Sequence, residues 1–310
     1  MTHPNTGDHL RRTTGTLFLV SAVAFAAAAT LLSSTFNWPD VLREPADVVL
    51  PAYVAGGAGL VWTWLATAWT YAILAVPILL LPTVLGRRGD PALRVATTVG
   101  ATSVLLSLIG FLRWVFVVPP LAHSYVTGDP LTQAAVTAAW TAQHQYGGAL
   151  LGEHLGQLLA IAWSIGLSVI ILRSGVLPRW LGIAGLLVSA LYLSNQGDIL
   201  ATALPGFPVW DLGGLIGSTT WGLWVAALGA TVLLRPIRTP IADAGIDVPA
   251  AGMSPSAPAA DRGGPRGRVS MVTPRAAIHS PQVVLPIRPP RSHTGKPGTA
   301  VARMSPWLLR

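Results

Sequence analysis

The sequence predicts an all-α integral membrane bundle of six transmembrane helices, with both termini cytoplasmic and a disordered C-terminal tail. Three observations carry this prediction. Charged residues make up only 10% of the 310 positions, against roughly a quarter in an ordinary soluble domain. Apolar types reach 52%, and the mean hydropathy is +0.56. The charges of residues 1–238 also leave long gaps, and those between Arg12 and Asp40, Asp47 and Arg87, Arg94 and Arg113, Glu153 and Arg173, Arg179 and Asp198, and Asp211 and Arg235 each hold at least 18 residues, long enough for a helix across a hydrocarbon core about 30 Å thick. A soluble chain this poor in charge could not clothe its surface. With no cysteine, disulfide scaffolds, thiolate metal sites and cysteine nucleophiles are excluded.

In lipid every backbone N–H and C=O must be paired within the segment, and these segments are too long and too continuously apolar for barrel strands. The spans are placed near residues 14–34, 59–85, 95–118, 148–172, 180–199 and 212–234. Two arginines precede the first span, so a cleaved signal peptide is the alternative there. Its uncharged stretch exceeds a usual h-region, which favours a retained helix. Pro77 and Pro82 fall within the second span, where each removes a backbone donor and invites a kink. Asp129-Pro130 has the form of an N-cap followed by proline at the first helical position. It opens a surface helix over about 130–145, which Gly147-Gly148 is expected to end.

Two stripes of small residues recur at steps of four: Gly148, Gly152, Gly156, Ala160, Ser164 and Ser168 in the fourth span, and Gly214, Ser218, Gly222, Ala226 and Ala230 in the sixth. Helices in lipid associate through close backbone approach, so both stripes are expected to be packing faces.

Orientation follows from the distribution of Lys and Arg. With the N-terminus inside, the inner segments hold Arg11, Arg12, Arg87, Arg88, Arg94, Arg173, Arg179, Arg235 and Arg238. The outer loops hold Arg43 alone, beside Asp40, Glu44, Asp47, Asp129 and Asp211. Residues 239–310 carry nine Lys/Arg against three Asp, with 12 Pro and 7 Gly. Such a composition cannot bury enough surface to offset its ordering entropy, so a disordered cytoplasmic tail is expected. Its arginines can touch anionic lipid; no motif points to specific nucleic-acid binding.

The informative residues are ionisable groups that enter the spans. Counted from the inner helix ends, Arg113, Glu153 and Asp198 each lie roughly 27–28 Å up, at the outer edge of the hydrocarbon. Gln157 lies one turn below Glu153, His154 points about 100° away, and His144, Asn195 and Gln196 sit near the same level. A charge at that depth is costly and normally pairs inside the bundle. The expected pair is Arg113 with Glu153, through a bidentate guanidinium–carboxylate contact, with Asp198 completing a triad. A purely structural bridge, or snorkelling to headgroups, is the competing reading.

Glu153 and His154 offer an acid and a base, but neighbouring helical residues diverge. The Glu-His-x-x-Gln run lacks the paired histidines of a zincin helix, and no metal or cofactor is assigned.

Arg113-Trp114 followed by Val-x-Pro, His144-Gln145-Tyr146, Gly152-Glu153-His154-Leu155-Gly156 and Leu177-Pro178-Arg179-Trp180-Leu181-Gly182 resemble a bacterial family of multi-span membrane proteins, the domain of unknown function 4386. The resemblance covers residues 10–236 and is strongest over 110–185. It implies a six-helix integral membrane protein and brings no established substrate or reaction. It draws attention to Arg113, His144, Glu153 and Arg179-Trp180 without assigning them roles. The function expected from the residues is binding or translocation of a small polar or anionic solute at the outward polar cluster, in the bacterial cytoplasmic membrane. The alternatives are a regulatory protein acting through its cytoplasmic face and tail, and a membrane enzyme using Glu153 and His154.

Overall fold

The computed structural model describes residues 6–234; the tail expected over 239–310 lies outside them. Among the described residues the chain is helical, with no strand. Six helical runs are long and apolar enough to cross a membrane: Gly7–Phe36, Ala46–Val84, Pro91–Thr127, Pro130–Ser174, Arg179–Ala201 and Gly213–Leu234. The molecule is a multi-pass membrane protein.

The first run is α1 (Thr6–Phe36). A short 3₁₀ turn, Asp40–Arg43, connects it to α2 (Ala46–Ala72) and α3 (Ala75–Val84). The break between α2 and α3 falls where Pro77 would clash with the carbonyl four residues back, as its place in the sequence predicts. A second kink lies at Gly57, whose φ of 58° suits a residue without a Cβ.

Then follow α4 (Pro91–Phe116), α5 (Val118–Thr127) and α6 (Pro130–Gln143). Asp90 caps α4 by accepting from the backbone N–H groups of Ala92 and Leu93, and Asp129 caps α6 through Thr132. The last elements are α7 (Gly156–Ser174), α8 (Arg179–Leu193), α9 (Gln196–Ala201) and α10 (Gly213–Leu234).

The helix over 130–145 does not end at Gly147-Gly148, as the sequence suggested. A π-helical segment, His144–Leu155, joins α6 to α7 in one continuous run. The two glycines are buried against α4, and the wider turn keeps the chain helical while it passes them. π-Turns interrupt helices mostly at functional sites, and commonly for a single turn. This one spans 12 residues.

Neighbouring helices close a ring in the order α1, α2, α4, α7, α8, α10 and back to α1. Inside it Trp163 is fully buried, with Phe18, Trp221 and Trp224 around it. The α7 stripe packs as expected: Gly152 meets Gly110 backbone to backbone, Gly156 meets Ser107, and Ser168 meets Gly185.

The α10 stripe behaves differently. A Cβ on Gly222 would meet nothing within 4 Å, and Ser218 is exposed. The buried face of α10 runs instead through Gly217, Trp221, Trp224, Leu228 and Gly229. The Trp221 N–H donates to Ser164 Oγ and the Trp224 N–H to the Leu181 carbonyl. Buried indole donors need acceptors, and that requirement turns the helix.

The end of the bundle where α1 finishes, here called distal, carries a second apolar cluster. Leu32, Phe36, Val41, Leu42, Trp64, Trp114, Val136 and Trp140 belong to it. The excess length of the second, third and fourth runs gathers there, and the candidate site lies beside it.

Candidate functional site

Val41 and Leu42 are buried in the distal cluster, which anchors the 3₁₀ turn and fixes where the next residue, Arg43, can reach. Arg43 Nη2 lies 2.7 Å from Glu153 Oε2 and 2.6 Å from Asp198 Oδ2, and its Nε donates to the same Asp198 oxygen at 3.0 Å. Burial works against the charge on Arg43, but the two carboxylates more than offset it, so its pKa is raised and it stays cationic.

The expected pairing therefore changes partner. Glu153 and Asp198 do meet through one arginine, but that arginine is Arg43 rather than Arg113. Arg43 was noticed in the sequence only as the lone basic residue of the outer loops. A connecting turn has no periodicity from which a side chain's reach can be read.

Arg113 sits one step further inside, 6% exposed. Its Nε donates to the Gly110 carbonyl at 3.2 Å, and its Nη1 to the His144 carbonyl and His144 Nδ1, each at 3.3 Å. The guanidinium carbon lies 5.1 Å from the centre of the Trp114 ring. Gly148 makes the space, because a Cβ there would stand 2.2 Å from Nη1. Among the described residues Arg113 forms no ion pair. The charges acting on it are those of Glu153 and Arg43.

The partners of His144 settle its tautomer. Nε2 lies 2.8 Å from the Leu42 carbonyl, which can only accept, so Nε2 carries the hydrogen. Nδ1 then receives the Arg113 N–H through its lone pair. The ring is neutral in this arrangement and rests 4.9 Å from Trp140, centroid to centroid. It ties Arg113 to the turn that bears Arg43.

His154 and Gln157 belong to a separate polar chain. His154 Nδ1 lies 2.7 Å from Gln196 Oε1 and donates to it. Gln157 Oε1 accepts from Asn195 Nδ2 at 2.8 Å and from Gln196 Nε2 at 3.1 Å. Glu153 and His154 thus turn to different partners, and the pair does not meet as an acid and a base. No cluster of three metal-ligating side chains occurs among the described residues.

One atom of this layer stands alone. Glu153 Oε1 is buried and accepts no hydrogen bond, while Oε2 of the same carboxylate is held by Arg43. The layer therefore brings together Arg113, His144, Glu153, His154, Gln157, Asn195 and Asp198, in three groups instead of one triad. An open groove of about 520 Å³, lined by Ser33, Asn37 and Glu44 among others, lies apart from it between the end of α1 and the start of α2.

The model of a domain of unknown function, DUF4386, matches residues 13–229, more than half of the chain. The chain belongs to the DUF4386 family. The match covers the middle four membrane-crossing runs whole and most of the first and last, and contains every residue of the polar layer. No curated protein matches the chain, and no solved structure does. Membership in a family of unknown function brings no chemistry with it.

Proposed function

We propose that this DUF4386 protein binds a small anionic solute at the distal polar layer and passes it across the bacterial cytoplasmic membrane, with the distal end outward. Arg113 holds the anionic group, Glu153, held by Arg43, is the nearby counter-charge in the empty state, and Gln157 forms the floor beneath.

The observation that carries this reading is the pairing of two unmet demands. A buried guanidinium has no carboxylate within ion-pair distance, and the nearby Glu153 leaves one oxygen buried without a donor. A bridge built only to lock helices would be expected to satisfy both, since an uncompensated buried charge costs several kcal/mol. Arg43 supports the reading as a latch, because it spans Glu153 and Asp198 from the distal side and must release them to admit a solute.

The test is thermal stabilisation of the purified protein by acetate and benzoate, chosen as minimal carboxylates. Wild type is expected to be stabilised by at least one of them. Arg113→Gln should insert and fold but lose that stabilisation. Equal stabilisation of both proteins removes the proposal.

A further inference from the structure

The same layer carries a charge balance with a chemical consequence. Two guanidinium groups, on Arg43 and Arg113, face two carboxylates, on Glu153 and Asp198, and His144 is held neutral by its two partners. The empty layer is electrically neutral. In a site of low dielectric, adding a monoanion leaves one uncompensated negative charge, and such a charge is expensive away from water. Either the anion stays out or the layer takes up a positive charge with it.

The groups able to respond are few. Around Glu153 stand Arg43 of the turn, Arg113 of α4, His144 and His154 of the π segment, Tyr192 of α8 and Asp198 of α9. Both arginines are already charged. His144 gives one nitrogen to the Leu42 carbonyl and faces Arg113 with the other, so a second proton there would point at a cation. His154 donates through Nδ1 to Gln196 and shares no hydrogen bond with Glu153 among the described residues. Asp198 rests both contacts with Arg43 on one oxygen at the half-exposed rim, where water can still reach it. Glu153 is 16% exposed and has the one buried oxygen with no donor, Oε1. A proton has a vacant, buried place on that oxygen.

We infer that the solute is a small carboxylate and that Glu153 takes up one proton from solvent as each carboxylate enters, so that binding is proton-coupled. The class of solute follows from what the layer already holds. Arg43 is engaged by the protein's own carboxylates at 2.6 and 2.7 Å, so an incoming carboxylate replaces like with like across the two guanidinium groups. The displaced Glu153, now neutral, offers its O–H to the solute carboxylate. Two positive charges then face the anion and Asp198, and the layer is neutral again. The inference rests on the solute-binding reading above.

The experiment is calorimetric titration of full-length protein in nanodiscs with acetate and with benzoate. It is run between pH 6 and 8, in two buffers of different ionisation enthalpy. Wild type should take up one proton per bound carboxylate, and its affinity should rise about tenfold for each unit the pH is lowered. Glu153→Gln should bind with no proton uptake and with an affinity that is flat in pH.

Binding by wild type without proton uptake overturns the coupling and leaves the solute site standing. A Glu153→Gln protein that keeps the pH slope overturns the assignment to Glu153. Failure of both carboxylates to bind wild type overturns the solute-binding reading, and the coupling with it. If Glu153→Gln does not fold, the two-buffer comparison on wild type still decides whether a proton moves.

Discussion

Gly148 is the residue on which the burial of Arg113 depends. A Cβ at that position would lie 2.2 Å from Nη1 and 2.4 Å from Cζ of the guanidinium. Gly148→Ala is therefore expected to push Arg113 off His144 and cost about 1–3 kcal/mol, the range for overpacking and for a lost buried hydrogen bond. The guanidinium is the far end of a flexible side chain and can yield. Gly152 has no such recourse, because its Cβ would meet the Gly110 Cα at 2.8 Å, backbone against backbone. Gly152→Ala should cost more than Gly148→Ala, and Gly222→Ala, which meets nothing within 4 Å, should be neutral or slightly stabilising. Equilibrium unfolding in micelles ranks the three. A Gly148→Ala protein as stable as Gly222→Ala would mean that Arg113 is not held where the geometry puts it. Depth in the membrane was legible in the residues themselves: counting 1.5 Å per residue brings Arg113, Glu153 and Asp198 to one level. Rotation about the helix axis was not, and rotation decides partners. The extrapolation assumed 3.6 residues per turn through a stretch that winds more widely.

That stretch, His144–Leu155, is the element that sets the geometry of the site. It allows Trp140 and His144 to face the distal cluster while Gly152, Gly156 and Ser164 face α4 and α10. An α-helix through the same residues would advance 100° per residue, more than the wider segment does, and the difference accumulated over the segment would turn one set away from its partners. Deleting Leu150, which is 42% exposed, gives the chain one residue fewer with which to make the wide turn. The deletion is expected to destabilise the fold severely and to abolish Arg113-dependent binding, whereas Leu150→Ala changes either little. The comparison separates loss of register from loss of a side chain, and equal behaviour of the two variants would deny the segment its role. At the head of the same run, Asp129 accepts hydrogen bonds from Thr132, which lower its pKa. A lowered folded value means the cap's contribution is fully present above the ordinary carboxylate value and lost as the pH falls below it, through the lowered value. Amide exchange in the first turn of α6 should accelerate on that acidification, and Asp129→Asn should remove the pH dependence. This cap and the Pro77 break were readable because both depend on local backbone chemistry. The face of α10 was misjudged because Trp221 and Trp224 seek acceptors on other helices, which no pattern within α10 reveals.

At the scale of the whole molecule the two ends of the bundle differ in charge. The proximal end gathers Arg12, Arg87, Arg88, Arg94, Arg173 and Arg179, on the segments that alternate with the distal loops, with Arg12 paired to Asp8 and Arg87 to Asp90. At the distal end Arg43 is consumed by Glu153 and Asp198, and Arg113 is buried. The remaining distal charges are Asp40, Glu44, Asp47, Asp129 and Asp211. Cytoplasmic loops carry the excess of Lys and Arg, so the proximal end is expected inside and the polar layer outside. The chain has no cysteine, and single reporters can therefore be placed without background. Asp40→Cys lies in an exposed position of the distal turn, and Gly89→Cys in an exposed proximal loop where an added side chain meets nothing within 4 Å. In intact cells a membrane-impermeant maleimide should label Asp40→Cys at once and Gly89→Cys only after permeabilisation. The opposite order would turn the protein over and make the polar layer a cytoplasmic site. Protons and carboxylates would then approach it from inside the cell.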